Sequence, residues 1–159
     1  MSEVYLLTGG NMGNRLENLK RAEAAIAAKV GSVVQCSSVY ETAAWGLVNQ
    51  PAFLNQVLLV STVLPAQAVL QTVMAIEAEM GRKRLIKYGA RTIDIDLLFY
   101  DDAIINSPSL TIPHPALHLR RFVLVPLAEL APQLLHPILH ATVGQLLQNC
   151  PDPLNVKKF

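Results

Sequence analysis

Apolar positions recur along this chain in two periods. Val-Tyr-Leu-Leu-Thr at residues 4 to 8 is a short apolar run halted by Gly9-Gly10-Asn11, which predicts a buried strand entering a turn. Asn14 with Glu17 three residues on has the form of a capping box, and Leu16, Leu19, Ile26 and Val30 follow at mostly helical spacing until Gly31, predicting a first helix. Residues 33 to 40 and 53 to 62 are β-branched or aromatic runs of strand length. Pro65 then opens an alanine-rich helix that turns Val69, Val73, Ile76 and Met80 inward and stops at Gly81.

A fourth strand lies within Arg-Thr-Ile-Asp-Ile-Asp-Leu-Leu-Phe-Tyr, residues 91 to 100. Alternate side chains of a strand share a face, so Ile93, Ile95, Leu97 and Phe99 are expected to bury together while Asp94 and Asp96 stand on the other side. Two like charges roughly 7 Å apart at Cα cost free energy unless a cation lies between them. The resulting order is β-α-β-β-α-β, an α+β, ferredoxin-like core with a largely antiparallel sheet and both helices on one face. Beyond residue 103 the pattern weakens; Thr142 with Gln145 predicts a last capped helix to about Cys150, so the C-terminal additions are helical.

A length of 159 residues predicts a single domain over 1–159, and 52% hydrophobic against 16% charged residues excludes disorder. The net charge of +1 provides no global field for nucleic acid or an anionic membrane. The start lacks a basic segment followed by a long apolar one, no run approaches the ~20 residues of a membrane span, and the two cysteines, Cys36 and Cys150, lack metal-ligand spacing. A cytoplasmic protein with free thiols is expected, with neither nucleic acid nor membrane as partner.

Two predicted connections, 41 to 52 and 81 to 92, run to about a dozen residues where a median loop has about five, which points to function or disorder. The second concentrates Arg82, Lys83, Arg84, Lys87 and Arg91 without an acid. A basic loop feeding an Asp-x-Asp strand suits a polyphosphate with magnesium: carboxylates hold hard cations, and guanidinium groups grip the anionic oxygens. The plain alternative is a solvated basic loop beside an edge strand. No P-loop motif occurs, since Gly-Gly-Asn-Met-Gly-Asn-Arg lacks the lysine and the following hydroxyl residue. Phe53 and Asn55, two apart in a strand, put a ring and an amide on one face, which suits a flat heterocycle but equally suits a core aromatic at a strand start. His114 and His118 have a zinc-pair spacing, but no third ligand is near in sequence and Pro115 disturbs a helix there.

The segments Gln-Pro-Ala-Phe-Leu-Asn-Gln-Val, Tyr-Gly-Ala-Arg-Thr-Ile-Asp-Ile-Asp and Ile-Pro-His-Pro-Ala-Leu-His-Leu-Arg-Arg-Phe together resemble the 6-hydroxymethyl-7,8-dihydropterin pyrophosphokinase family of folate biosynthesis. The likeness runs from Gly9 to about Pro132. It implies transfer of the β,γ-diphosphate of ATP to the pterin hydroxymethyl oxygen with release of AMP, two magnesium ions, and the ferredoxin-like fold; a monomer is expected. By position, Asp94 and Asp96 resemble the magnesium ligands, with Asp96 also grouped with the catalytic residues. Thr42, Phe53, Asn55 and Phe122 resemble the pterin pocket, and Trp45 its closing loop. Arg82, Arg84, Tyr88 and Arg91 match the phosphate-binding loop and its anchor, with Arg82, Arg84 and Arg91 expected in catalysis. Glu77, His114 and Arg120 match ATP contacts. Met74, Leu85, Ile86, Tyr88 and Ala90 depart from commoner residues of the pattern, on the adenine side and in the basic loop. Before that likeness, the residues alone admit two rivals, another magnesium-dependent phosphoryl or nucleotidyl transferase and a non-catalytic binding module for a metabolite or RNA.

Overall fold

The first apolar run forms strand β1, Ser2–Gly10; the computed structural model describes residues 1–43, 51–81 and 92–159 and places this strand inside a sheet. Helix α1, Arg15–Lys29, begins where the Asn14 side chain accepts from the Glu17 N–H, and buries Leu19, Ala22 and Ile26 at helical spacing. Strands β2 (Ser32–Cys36), β3 (Tyr40–Thr42) and β4 (Phe53–Thr62) follow. Helix α2, Ala66–Glu79, buries Ala66, Val69, Val73 and Ile76 and is followed by Gly81 at φ +79°, a left-handed conformation that glycine adopts without a Cβ penalty. Strand β5, Asp94–Tyr100, comes next, then a two-stranded ribbon of β6 (Ile105–Asn106) and β7 (Thr111–Ile112). A 3₁₀ turn over Leu117–Leu119 leads to helix α3, Arg121–Leu130. Helix α4, Val143–Gln148, and strand β8, Val156–Lys158, end the chain, with Thr142 and Gln145 forming the expected capping box.

The main sheet runs β5-β1-β4-β3-β8, with β2 also pairing β4, and its strand pairs are antiparallel. The core follows the expected ferredoxin-like order, with one subdivision. Residues 33 to 40 form not one strand but two, β2 and β3, laid end to end along β4. At the break the Ser37 N–H donates to the Val57 carbonyl (2.9 Å) and the Ser37 hydroxyl accepts from the Val57 N–H (2.9 Å), so a side chain takes over one ladder position.

Each face of the sheet has its own apolar core. Val4, Leu6, Leu54, Leu58, Val60, Ile95 and Leu97 meet the buried sides of α1 and α2 on one face. Leu7, Val57, Leu98 and Phe99 meet Leu117, Val123, Leu124, Leu127 and Val143 on the other. Each fully buried large aliphatic side chain contributes roughly 1.5–3 kcal/mol. Two expectations need correction. Gly9 and Gly10 belong to β1 rather than to a turn, because both pair with β4. Phe99 leaves the row of Ile93, Ile95 and Leu97 for the opposite core, because an irregularity in the β1–β5 register between Tyr5 and Leu6 shifts the alternation.

Candidate active site

Antiparallel register places directly opposed residues on the same face, so the ladders show which side chains stand together. One row across the sheet reads Tyr40, Asn55, Gly9, Asp94 on β3, β4, β1 and β5. The pair Thr42 and Phe53 lies two residues along on the same face, and Asp96 stands opposite Leu7 in the other direction. The face is the one covered by α3 and α4. Sequence position alone separates these residues by half the chain; the strand order makes them neighbours.

Thr42 is 3% exposed, and among the described residues its Oγ1 has no hydrogen-bond partner. A buried hydroxyl without a partner costs about 1–3 kcal/mol, so this orphan marks a place where a polar ligand atom is expected. Asn55 is 5% exposed, while Phe53 is only half-buried at the start of its strand. The Asn55 amide fills the space above Gly9, where a Cβ built on the glycine would lie 2.1 Å from the Asn55 Nδ2. Gly9 is therefore a site residue that the sequence reading assigned to a turn. The available signal was a glycine at the end of a strand run, which can equally mean close approach of another group.

Asp94 and Asp96 are both partly exposed on β5, separated by the buried Ile95. Glu77, reaching over from α2, accepts the Ile95 N–H at 2.8 Å and so caps the outer edge of the same strand. Further along that edge the His114 N–H donates to the Leu98 carbonyl at 3.0 Å. Burial lowers the pKa of the His114 imidazole; the charge of Asp96 opposes this and that of Arg120 adds to it. His114 Nδ1 accepts the Ala116 N–H at 3.2 Å, so the neutral ring carries its hydrogen on Nε2 and is a donor there. Asp96, His114 and Arg120 thus form one electrostatic group.

The Arg120 guanidinium carbon lies 5.9 Å from the centre of the Phe122 ring, within cation–π range. Phe122 is the second residue of α3 and packs against the second core. At the far end of α3, Glu129 accepts from the Tyr40 hydroxyl, the Ser38 N–H (2.9 Å) and the Ser38 hydroxyl (3.3 Å). Helix α3 therefore bridges the sheet, with Arg120 at one end beside the β5 group and Glu129 at the other on β3. Its ten residues span about 15 Å, close to the roughly 14 Å of three strand spacings from β5 to β3.

The loop bases are held as well. Asn11 Nδ2 donates to the Pro51 carbonyl (3.0 Å), and Arg15 Nη1 donates to Glu41 (2.8 Å) and to the Ala52 carbonyl (2.9 Å). Trp45, Arg82, Arg84, Tyr88 and Arg91 lie outside the described residues. Among the described residues no three His, Cys, Asp or Glu side chains converge on one metal position, and no helix is long and apolar enough to cross a membrane. Helix α3 itself was missed in the sequence, where Pro126 inside its span obscures the helical pattern.

A family model described as 7,8-dihydro-6-hydroxymethylpterin-pyrophosphokinase matches residues 5–132. A Synechocystis protein named 2-amino-4-hydroxy-6-hydroxymethyldihydropteridine pyrophosphokinase is 45% identical over 141 residues, covering 88% of this chain and 72% of its own. A protein of the same name from Aquifex aeolicus is 41% identical over 138 residues, 87% of this chain and 86% of its own. The folic acid synthesis protein of Pneumocystis carinii is 38% identical over 94% of this chain, which corresponds to only 20% of that longer protein. Among solved structures, Plasmodium falciparum HPPK-DHPS with pteroate superposes with a TM-score of 0.74 at 16% identity, over 92% of this chain and 42% of the other; that likeness is one of fold. The chain belongs to the 7,8-dihydro-6-hydroxymethylpterin-pyrophosphokinase family.

Proposed function

We propose that this pyrophosphokinase transfers the β,γ-diphosphate of ATP to 6-hydroxymethyl-7,8-dihydropterin on the sheet face that carries Tyr40, Asn55, Gly9 and Asp94. The observation that carries the assignment is that row together with the orphaned hydroxyl of Thr42 beside it. Asn55 and Thr42 supply hydrogen bonds to the edge of the heterocycle, and Phe53 and Phe122 stack on its two sides, with Trp45 assigned to the same substrate by family likeness. From Asn55 to Asp94 is two strand spacings, roughly 10 Å at Cα, which suits a bicyclic ring carrying a hydroxymethyl arm toward the aspartates.

ATP lies on the β5 side. Arg120 and the Nε2 hydrogen of His114 meet phosphate oxygens, Glu77 is an ATP-side contact, and Arg82, Arg84, Tyr88 and Arg91 serve the phosphates by their place in the basic segment. Asp94 and Asp96 suit magnesium, which commonly takes one or two protein carboxylates and completes its shell with phosphate oxygens and water, so a closed protein cage is not required. Two bound ions would supply charge neutralisation on the transferring group. The chain's own residues do the positioning: aromatic faces and Asn55 orient the pterin hydroxyl, and the cationic side chains align the β-phosphorus with it. The new bond forms between the hydroxymethyl oxygen and the β-phosphorus, the bond from that phosphorus to the α–β bridging oxygen breaks, AMP leaves with the bridging oxygen, and the hydroxyl proton is released. Asp96, at the reacting side of the row, is grouped with Arg82, Arg84 and Arg91 as catalytic.

The reading includes one domain over 1–159 and a cytoplasmic location, both supported by sequence alone, together with a monomer. The deciding assay is AMP formation dependent on both ATP and the hydroxymethylpterin. AMP release without the pterin, or no release with it, refutes the reading.

A further inference from the structure

Aromatic stacking needs a fixed gap, and here the two rings belong to different elements. Phe53 begins β4, whereas Phe122 rides on α3. Val123, Leu124 and Leu127 of α3 share one buried apolar core with Leu7, Val57, Leu98 and Phe99 of the sheet. Such contacts are non-directional, whereas hydrogen bonds constrain both distance and angle. Directional bonds exist at its two ends. At the start, the Arg121 N–H donates to Asp152 Oδ2 at 3.1 Å, and at the end, Glu129 takes its three bonds from Tyr40 and Ser38.

We propose that Tyr40 and Glu129 are positioning residues for the pterin: their bond, with those from Ser38, fixes α3 across the sheet and so sets the gap between Phe122 and the Asn55, Phe53 and Thr42 side chains of the sheet. The inference rests on the site reading above. Tyr40 is suited to the task because it is the ladder partner of Asn55 and stands two residues before Thr42 on one short strand. Its ring is 7% exposed, and its hydroxyl carries the contact from sheet to helix. Phe122 and Glu129 are seven positions apart, two helical turns, so they lie on the same side of α3. Pro126 between them has no N–H to donate to the Phe122 carbonyl, which leaves the helix one internal bond short in its middle. A helix weakened there gains more from a fixed far end than an unbroken one does. Burial, the Glu129 bond and the Glu129 charge push the Tyr40 phenol to about 12, so it remains a donor throughout the physiological range.

The test is steady-state kinetics of the full chain with each substrate varied, alongside thermal melts. Tyr40→Phe and Glu129→Ala are expected to raise KM for the pterin about tenfold, equivalent to about 1.4 kcal/mol of lost binding, with KM for ATP within about twofold. Glu129→Gln, which keeps an acceptor oxygen, recovers most of the loss. Val143→Ala, which opens a cavity in the same core away from the row, lowers the melting temperature but leaves the pterin KM unchanged. If Tyr40→Phe and Glu129→Ala lower only the melting temperature, as Val143→Ala does, or leave the pterin KM unchanged, or raise the KM of both substrates equally, the positioning role is overturned. Phe122→Ala separates the two readings: an unchanged pterin KM in that variant overturns the slot itself, whereas a raised one beside a silent Tyr40→Phe overturns only the tie.

Discussion

Replacing Gly9 by alanine would put a methyl group where the Asn55 amide now lies. The new Cβ would be 2.1 Å from Asn55 Nδ2, 3.1 Å from its Cγ and 3.1 Å from the Leu54 carbonyl oxygen. Ordinary contact needs about 3.5 Å, and the backbone oxygen leaves little slack, so the amide must retreat by on the order of 1 Å. Two costs follow. Overpacking lowers stability by about 1–3 kcal/mol, or about 2–4 °C in Tm for each kcal/mol in a chain of this size. With Asn55 on the heterocycle edge as proposed, the displaced amide would no longer meet it, and leaving that edge unpaired costs about 1–3 kcal/mol of binding, equivalent to an about 5- to 150-fold weaker Kd for the pterin. ATP, which the site reading places beyond Asp94, should bind as before.

Equilibrium titration with each ligand separately, together with thermal melts, reads both costs. Asn55→Ala gives the decisive comparison, because it removes the amide and opens room for the methyl. If the reasoning holds, the double variant Gly9→Ala/Asn55→Ala binds pterin no worse than Asn55→Ala alone and melts higher than Gly9→Ala alone, a coupling expected of touching residues. Wild-type pterin affinity in Gly9→Ala, or additive losses in the double variant, would refute it.

Asp94→Asn and Asp96→Asn should each abolish most AMP release, as should chelation of divalent ions, while the protein stays folded; a large drop in Tm with activity retained in the folded fraction contradicts the assignment. His114 and His136 both have lowered pKa values, chiefly from burial, with Asp96 opposing the shift at His114. The unfolded chain therefore binds more protons just below its ordinary histidine value, so their contribution is complete above about pH 6.5 and is lost as pH falls below it. Melts of the free protein should show Tm falling on acidification from about pH 7.5 to about pH 5.5, and a smaller fall in His136→Asn, whose amide oxygen can replace the Nδ1 that accepts the Ile138 and Leu139 N–H groups. Glu77→Gln should preserve folding, because an amide oxygen still accepts the Ile95 N–H, yet weaken ATP binding in a titration if the charge matters there; equal ATP affinity would reduce Glu77 to an edge cap.

Three long elements of the core were legible from period and punctuation: Asn14 and Gly31 bracket α1, Pro65 and Gly81 bracket α2, and the apolar run of β4 has the observed bounds. What failed to show in the sequence depends on partners far along the chain. The split between β2 and β3 arises from Ser37 bonding to Val57, and the move of Phe99 to the second core comes from a register shift against β1. The residues of the row could be selected individually by chemical type or family likeness, but their adjacency depends on β1 lying between β4 and β5. Gly9 and the Tyr40–Glu129 tie were missed for the same reason, since a glycine's neighbour and a carboxylate's donor are tertiary facts.

How the sheet is covered decides where such a site can form. Leu7, Val57 and Leu98 occupy the stretch of the second face that α3 seals with aliphatic side chains, and Tyr40, Asn55, Gly9 and Asp94 form the neighbouring row, within two residues along β1 and β4. The aliphatic part supplies rigidity, and the adjoining row inherits it, because its side chains spring from the same strands. Asn55 and Thr42 are held almost fully buried, so aligning them to a heterocycle requires little further side-chain ordering on binding. At the β5 end the side chains become partly exposed carboxylates, where hard-cation chemistry and phosphates can enter from solvent. One strand order thus places a rigid, apolar-walled end and a charged, open end within one row, and a substrate with a flat ring and a hydroxymethyl arm matches that polarity along its own length.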